Sequence, residues 1–332
     1  MLAIVCPGQG SQSPGFLSPW LELPGSRQDA QQLGAAAGID LVLHGTGSDA
    51  GTIRDTAVAQ PLIVGAGLLA LRALFQGQAG TVADTAGLLA GHSIGEITAA
   101  AATGVLPAAE AMRLVGVRGR AMAAASAITA TGMSAVLGGD PAEVIAALED
   151  KGLTPANMNG AGQVVAAGTL QQLDALAADP PTRARVIPLP VAGAFHTHHM
   201  SPAVEAMGAA AAELTASDPR PPLVSNADGR LMESGALILQ RLVSQVSNPV
   251  RWDLCMDTMV EQGVTAIIEL APAGTLVGLA RRAMKGVELV ALKSPADLDA
   301  ARAALAAHGA PASPARPSKQ PASSQQAVED PR

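Results

Sequence analysis

The chain has 332 residues, of which 48% are apolar, 15% charged and 2% aromatic. This apolar content is enough to bury a large core, which excludes disorder throughout the chain. The formal net charge is −7 and aromatic side chains are scarce, so nucleic acid is a poor candidate for a partner, since it needs cations and stacking platforms.

The first predicted strand, Leu2 to Cys6, runs into a loop of small residues, Pro7 to Gln12. This loop lacks the Gly-Lys-Ser/Thr that ends a phosphate-binding loop, and its glycine spacing differs from that of the dinucleotide fingerprint. A loop of small residues at the carboxyl end of a strand suits a backbone N–H donor to an oxyanion.

A second predicted strand, Gly87 to Ala90, is followed by Gly91-His92-Ser93-Ile94-Gly95-Glu96 and then by a helical pattern. This context predicts a nucleophile elbow, in which the glycines two before and two after Ser93 allow a tight turn. The alternative is a chance Gly-x-Ser-x-Gly in a chain with 35 glycines. We expect Glu96, in the first helical turn, to do no more than complement the helix dipole.

Residues 121–139 form a charge-free stretch of nearly membrane-spanning length, but their small and polar side chains predict a helix end followed by a strand, not a membrane span. From Met133 to Leu189 the pattern then runs strand, helix, strand, strand, helix, strand, which is the ferredoxin-like order. Helix starts are marked at Asp140 and by the capping box that begins at Thr169. We therefore expect a small domain inserted into a larger one.

The serine of the elbow needs a base. The chain has six histidines, His44, His92, His196, His198, His199 and His308. His308 adjoins the C-terminal tail, and His44 is assigned to a polar loop. His92, beside the serine, suits a supporting role. The base is therefore expected within residues 196–199. Three histidines there also suggest a metal site, but no acidic or cysteine ligand lies nearby, so we expect no metal.

Three further strands are predicted at Leu223 to Ser225, Ala266 to Glu269 and Val287 to Leu292. Strands that alternate with helices predict an α/β fold with a mainly parallel sheet covered on both faces. The last residues lack the apolar side chains that would offset the entropy of ordering, so a disordered tail is expected. The predicted boundaries are 1–127 and 193–308 for the large domain, 128–192 for the inserted domain and 309–332 for the tail.

Two cysteines, Cys6 and Cys255, lie far apart and predict neither a disulfide framework nor paired zinc ligands, which suits a reducing compartment. The N-terminal segment lacks the cationic lead of a signal peptide. We expect a cytoplasmic protein that contacts no membrane, and nothing in the sequence requires more than a monomer.

Five separated motifs stand in a characteristic order. They are Gly8–Gln12, Gly91–Glu96, Arg118–Met122, Gly193–His196 and Gln245–Trp252. Together, over about residues 1–308, they resemble the malonyl-CoA:acyl-carrier-protein transacylases of bacterial type II fatty-acid synthesis, in their actinobacterial form. The resemblance implies an α/β-hydrolase-like large domain interrupted by a ferredoxin-like small domain. It implies ping-pong transfer of malonyl from malonyl-CoA to the phosphopantetheine thiol of acyl carrier protein, without a bound cofactor, to supply chain elongation.

Site roles follow from the resemblance, motif by motif. It implies Ser93 as the nucleophile and His196 as the general base. The backbone N–H groups of Gln9 and Ile94 would form the oxyanion hole. Gln245 would orient the base through its main-chain carbonyl, where hydrolases use an acid.

Substrate selection also follows from the resemblance. Arg118 would hold the malonyl carboxylate, since its planar fork can donate two parallel hydrogen bonds. Position alone does not select it among Arg113, Arg118 and Arg120. A branched residue at 94 and Ala-Phe-His at 194–196 go with malonyl rather than methylmalonyl, and Phe195 would narrow the pocket, although ordinary core packing explains it equally well.

The carrier protein raises an electrostatic question, because carriers of this family are acidic and this chain carries −7. Docking then needs a local basic patch. Arg281, Arg282 and Lys285 are the first candidates, and Arg183 and Arg185 the second. A solvated cationic face is the simpler interpretation of either set.

Rival functions stay open on the sequence alone. A serine thioesterase or esterase would use the same elbow with an Asp or Glu that orients the histidine, and no such acid stands out in the motifs. A transacylase of polyketide synthesis or of a malonate decarboxylase would share all five motifs. An inactive module that only docks carrier proteins would need none of Ser93, His196 and Arg118.

Overall fold

In the computed structural model of the protein, residues 1–309 are described, and the predicted tail at 310–332 lies outside them. The strands are β1 (Leu2–Cys6), β2 (Leu88–Gly91), β3 (Thr131–Gly138), β4 (Thr154–Gly160), β5 (Gln163–Thr169), β6 (Ala184–Pro188), β7 (Leu223–Val224), β8 (Leu231–Met232), β9 (Val250–Arg251), β10 (Ala266–Glu269) and β11 (Glu288–Ala291). The helices are α1 (Ser18–Leu21), α2 (Ser26–Ala37), α3 (Leu41–Thr46), α4 (Thr56–Phe75), α5 (Val82–Thr85), α6 (Gly95–Ala102), α7 (Ala108–Ser126), α8 (Pro141–Asp150), α9 (Leu170–Ala178), α10 (Ser201–Ala212), α11 (Gly235–Ser244), α12 (Trp252–Glu261), α13 (Thr275–Ala283) and α14 (Leu298–His308).

The larger sheet has the strand order β11-β10-β1-β2-β7-β8 and is parallel except between β7 and β8. Its central strands β1, β2 and β10 are buried at every residue, as expected for strands covered on both faces. Because all three end at the same edge of the sheet, the loop after β1 and the elbow after β2 lie side by side. The predicted α/β fold with a mainly parallel sheet is confirmed.

The smaller sheet has the order β6-β3-β5-β4-β9, and its pairs from β6 to β4 are antiparallel. Those four strands, with α8 and α9, reproduce the predicted ferredoxin-like order, and both helix starts are as predicted: Asp140 accepts from two backbone N–H groups and Thr169 forms a capping box. The fifth strand was not predicted. β9 pairs in parallel with β4 at two residue positions, Asn157 with Val250 and Met158 with Arg251, too short a run to leave a local pattern.

This added strand ties the small sheet to the second part of the large domain. The four ferredoxin-like strands fall inside the predicted insertion, 128–192, whereas β9 lies at 250–251. The boundaries at 127/128 and 192/193 stay a prediction. The helix end and strand expected in residues 121–139 are confirmed as the end of α7 and β3.

One helix, α4, is long and apolar enough by length and composition to cross a membrane, and 78% of its most apolar window is buried inside the protein. It packs against α6 and α7 in the main core. Another helix corrects an expectation: His44 lies in α3 and not in a polar loop. The Asp40 side chain accepts from the Leu43 backbone N–H and starts this six-residue helix.

Candidate active site

The elbow between β2 and α6 holds Ser93 in the left-handed region, with φ of 53°. Its flanking glycines are sterically required. A Cβ at Gly91 would lie 2.0 Å from the carbonyl carbon of Gly95, and a Cβ at Gly95 would lie 2.1 Å from the carbonyl oxygen of Cys6. Both distances are far inside van der Waals contact, so the tight turn that presents the Ser93 side chain depends on hydrogen at both positions.

Ser93 and His196 form a hydrogen-bonded pair, with 2.7 Å between Ser93 Oγ and His196 Nε2. His196 Nδ1 lies 2.8 Å from the main-chain carbonyl oxygen of Gln245. Because a carbonyl only accepts, Nδ1 carries the ring proton and Nε2 is free to accept from the serine. His196 also has a positive φ, 61°, so both members of the pair lie on strained backbone.

Burial sets the charge of the histidine. It lowers the pKa of His196 to about 3, and the nearby Arg118 acts in the same direction. A neutral imidazole is the form that can take a proton from Ser93.

Arg118 is 1% exposed and lies beside the serine, with 3.4 Å between Nη2 and Ser93 Oγ. Its Nη1 donates to Gln60 Oε1 at 2.8 Å and its Nη2 to Gln245 Oε1 at 2.9 Å. Its Nε is buried and has no hydrogen-bond partner among residues 1–309. Burial lowers the pKa of Arg118 to about 10, so the guanidinium stays cationic near neutral pH. A buried cation that contacts only neutral acceptors is suited to receive a carboxylate.

Gln9 and Ile94 lie on neighbouring segments. Ile94 is buried and immediately precedes α6, and the loop that carries Gln9 packs on the elbow, since a Cβ at Gly8 would lie 3.0 Å from His92 Nδ1. Within residues 1–309, the backbone N–H of neither Gln9 nor Ile94 donates to another protein group. The side chain of Gln9 turns away, towards the carbonyl of Arg54.

The ring of His92 contacts the small sheet. Its Nε2 is 2.9 Å from Asn159 Oδ1 on β4, and its ring packs near Trp252 with 5.6 Å between centroids. Burial lowers the pKa of His92. This histidine therefore connects the elbow of the large sheet to the small sheet. Phe195 is 6% exposed and packs in the main core.

One residue that sequence reasoning missed supports the backbone of the elbow. Asn226, just after β7, accepts from the Ser93 backbone N–H at 2.7 Å and donates to the carbonyl of Gly91 at 2.7 Å. Its own backbone N–H donates to Glu96 Oε1 at 2.6 Å. The available signal was its position at the carboxyl end of a strand in a parallel sheet.

Glu96 corrects an expectation, because it is not a simple dipole partner on a helix surface. It is 2% exposed, and its other carboxylate oxygen accepts from Gln245 Nε2. Burial raises the pKa of Glu96 to about 7, against the hydrogen bonds from Asn226 and Gln245 and the charge of Arg118. Its carboxylate contacts these neighbours and not the ring of His196.

A cleft of about 340 Å³ lies beside the elbow, next to His92 and the loop that carries Gln9. It is lined by Gly8, Gln9 and His92 of the large domain, by Asn157 and Asn159 of β4, and by residues of α13 that include Arg282. A second cleft of about 300 Å³ lies on the other side of Gln9. A larger cavity, about 810 Å³, lies among α2, α4 and α7 and contains none of the candidate residues.

The basic patch candidates are exposed. Arg281 and Arg282 are in the last turn of α13 and Lys285 follows it, and Arg282 Nη2 donates to Gln163 Oε1 at 3.2 Å on the cleft rim. Arg183 and Arg185 lie at β6, the edge strand of the small sheet. Within residues 1–309, no three His, Cys, Asp or Glu side chains converge as metal ligands.

Comparisons with known proteins agree on one group of enzymes. The acyl transferase domain family matches residues 3–308. The malonyl CoA-acyl carrier protein transacylase of Mycobacterium tuberculosis is 52% identical over 299 residues, which are 90% of this chain and 98% of that protein.

Two solved structures are similar over nearly their whole length. The crystal structure of MCAT from Mycobacterium tuberculosis has a TM-score of 0.85 at 51% identity and covers 91% of this chain and 99% of its own. A type II PKS acyl-carrier protein in complex with its malonyl-transacylase has a TM-score of 0.83 at 30% identity, with 91% and 99% covered.

Proposed function

Since the chain belongs to the acyl transferase family, among the malonyl CoA-acyl carrier protein transacylases, we propose that it moves malonyl from malonyl-CoA to holo-acyl carrier protein through an ester on Ser93. The chain is an acyltransferase, and chain elongation in fatty-acid synthesis is the process it supplies. The observation that carries the assignment of residues is the contact of Ser93 Oγ with both His196 Nε2 and Arg118 Nη2.

In the first half-reaction, His196 takes the Ser93 proton as the oxygen attacks the thioester carbonyl of malonyl-CoA. The backbone N–H groups of Gln9 and Ile94 receive the oxyanion. The C–S bond then breaks, and the CoA sulfur leaves with the proton held by His196. A malonyl-serine ester remains.

In the second half-reaction, the phosphopantetheine thiol gives its proton to His196 and attacks the ester. The tetrahedral intermediate collapses, the C–O bond breaks, and Ser93 recovers the proton. Throughout, the carbonyl of Gln245 holds the proton-bearing Nδ1, so the histidine needs no acidic partner. The two half-reactions share one site, which predicts ping-pong kinetics and requires no cofactor besides the two substrates.

Arg118 holds the malonyl carboxylate in this proposal. Its contacts to Gln60 and Gln245 are with neutral amide oxygens, which a carboxylate can displace or supplement. With the carboxylate anchored, the thioester carbon is held within reach of Ser93. The same anchor fixes the geometry in which the carrier thiol attacks the malonyl-serine ester, which favours the thiol over water. His92 supports the elbow and Phe195 shapes the pocket wall.

The carrier protein binds at the cleft rim near α13. Arg282 lines the cleft that leads to Gln9 and His92, and Arg281 and Lys285 are exposed beside it. A cationic rim at the mouth of the cleft suits an acidic carrier and the phosphate of the phosphopantetheine arm. All of the proposed site comes from one chain, so a monomer suffices, and a cytoplasmic location stays a prediction.

The test is incubation with labelled malonyl-CoA, with and without holo-carrier protein, for the wild type and Ser93→Ala. We expect label on Ser93 that passes to the carrier faster than it is lost to water. Rapid release of free malonate regardless of carrier would instead identify a thioesterase. The buried Glu96 does not contact His196, which argues against the hydrolase arrangement.

The carrier of a polyketide system is the second candidate, because one similar structure is that of a malonyl-transacylase bound to its type II PKS carrier. The chase step separates the two if it is run in parallel with a fatty-acid carrier and a polyketide carrier. The faster chase identifies the carrier that the protein serves.

A further inference from the structure

Glu96 occupies a central position in a buried hydrogen-bond network beneath the reaction centre. One carboxylate oxygen accepts from the backbone N–H of Asn226 at 2.6 Å, and the other accepts from Gln245 Nε2. Both of its hydrogen-bond partners within residues 1–309 are donors, so the ionised form accepts from both, whereas the neutral acid is a weaker acceptor at the oxygen that carries the proton. The site described above assigns no role to this residue.

Asn226 and Gln245, the two partners of Glu96, also form hydrogen bonds with the backbone on both sides of Ser93. Asn226 Oδ1 accepts from the Ser93 backbone N–H at 2.7 Å, and Gln245 Nε2 donates to the Ser93 carbonyl at 3.0 Å. Ser93 has a positive φ, so its backbone needs such restraints to keep the side chain aimed at the base.

The orientation of the Gln245 amide is determined by its neighbours. Its NH₂ group faces three acceptors, Glu96, the Ser93 carbonyl and, at 3.4 Å, Asn226 Oδ1, while its Oε1 faces the donor Nη2 of Arg118 at 2.9 Å. If the amide turned over, its oxygen would face the carboxylate and its NH₂ would face the guanidinium, and both contacts would be lost. Gln245 thus bridges a buried anion and a buried cation.

We propose that Glu96 is a positioning residue. Its carboxylate fixes the orientations of Asn226 and Gln245, and through them the relative positions of Ser93, His196 and Arg118. It acts through those neighbours and does not touch the substrate. The inference rests on the proposed function, since the measured effect is acylation of Ser93 by malonyl-CoA.

The key variant is Glu96→Gln, which has nearly the same shape. Its single oxygen serves the fixed backbone N–H of Asn226, so its NH₂ group faces Gln245 Nε2, donor against donor. The Gln245 amide then turns over or gives up its contact, and Arg118 loses its acceptor. We expect the rate of Ser93 acylation to fall roughly 10- to 100-fold, the range for a buried donor left unpaired.

The pH profile separates positioning from packing. The network needs ionised Glu96, whose pKa burial raises to about 7, so acylation is expected to be full above that pH and to fall as the pH drops through it. The facing groups do not titrate there: Arg118 on α7 and Arg241 on α11 stay cationic, and burial raises the pKa of the Cys255 thiol on α12. His196, with its pKa near 3, adds no step in this range.

The experiment measures single-turnover labelling of Ser93 between pH 5 and 8 for the wild type, Glu96→Gln and Glu143→Gln. Glu143 is an exposed acid in the first turn of α8 and is the matched control, expected to behave as the wild type. We expect Glu96→Gln to be slow and to lack the step near pH 7. A wild-type rate, or retention of that step, overturns the positioning role.

Two further results keep the test decisive. If Glu96→Gln does not fold, Gln245→Leu removes the bridge while leaving Glu96 in place, and the same slow acylation is expected; a wild-type rate there contradicts the proposal. If the wild type takes no label from malonyl-CoA, the proposed function fails, which is distinct from a labelled wild type with an equally active Glu96→Gln.

Discussion

The reaction centre and the cationic end of α13 use charge in opposite ways. In the centre, Glu96 and Arg118 are almost wholly buried and each side chain has several hydrogen-bond partners. At the end of α13, Arg281, Arg282 and Lys285 are exposed, and Arg282 has one side-chain contact, to Gln163.

The difference follows from solvation. Burial shifts pKa values in the centre, to about 7 for Glu96, about 10 for Arg118 and about 3 for His196. Water and salt screen the exposed cations, so each contributes little alone and acts mainly on the rate of encounter. Substitutions in the centre should therefore have large, salt-independent effects, and substitutions on α13 small, salt-dependent ones.

The largest effect is expected for Ser93→Ala and His196→Ala. Each removes a group that bonds to the reacting atoms, and transfer should fall by roughly three orders of magnitude or more. Initial rates of malonyl transfer measure this. The matched control is His198→Ala, an exposed histidine two residues from the base, which should retain near-normal activity. If His198→Ala lost as much transfer activity as His196→Ala, the assignment of His196 as the base would be contradicted.

Next is Arg118→Ala, which removes the carboxylate anchor and leaves the Glu96 charge buried without its counter-charge. We expect malonyl transfer to weaken by roughly 3 kcal/mol, or about 100-fold, and Arg118→Lys, which keeps the charge but not the fork, to recover part of it. The comparison of malonyl-CoA with acetyl-CoA in kcat/KM is the readout. Equal losses for both substrates would falsify the carboxylate role, and Arg120→Ala, exposed on the same helix, is the control.

The two regions also differ in how they tolerate a methyl group on glycine. Gly95→Ala places a Cβ 2.1 Å from the Cys6 carbonyl oxygen, so the free energy of unfolding should fall by roughly 2–3 kcal/mol. At Gly278, in α13, an added Cβ meets no atom of residues 1–309 within 4 Å outside the adjacent helix backbone, so Gly278→Ala should raise the free energy of unfolding by about 0.5–1 kcal/mol through helix propensity. Urea unfolding curves measure both. If Gly95→Ala is as stable as the wild type, the close approach at the elbow is not rigid.

The smallest effect belongs to charge reversal at Arg281 and Arg282. The apparent KM for carrier protein should rise roughly two- to fivefold at low salt and less at high salt, because exposed charge pairs contribute at most about 1 kcal/mol each. The KM for malonyl-CoA should not change. Reversal at Arg183 and Arg185 is the comparison. A larger rise in that KM for the Arg183 and Arg185 variant would assign the docking surface to β6 and not to α13. If neither charge reversal changes the KM for carrier protein, the carrier docks elsewhere.

Much of the fold could be predicted because the relevant signals are local. β1 and β10 have the predicted bounds, and α8 begins at its predicted proline, since an apolar run or a cap and proline determines them within a few residues. β9 could not be predicted in this way. It is two residues long and forms only because β4 lies beside it.

The residues of the site likewise fall into those with a local signal in the sequence and those without one. Ser93 and its two glycines form a contiguous motif, so the elbow was visible in the sequence. Glu96 belongs to that same motif but was misjudged, because an acid in a first helical turn has the same sequence signature whether it faces water or the interior. Asn226 was missed because its partner, the Ser93 backbone N–H, lies 133 residues away.

The sequence by itself determined most of the strands, the elbow, the order of elements in the small sheet and, through five separated motifs, the family. Tertiary structure alone decided which further polar groups meet: the side chain of Asn226 against the Ser93 backbone, and the carboxylate of Glu96 against the amide that reaches Arg118. The physical reason is that secondary structure depends on neighbours along the chain. Hydrogen-bond partners, burial and the pKa shifts that burial causes depend instead on segments brought together only when the sheets and helices pack.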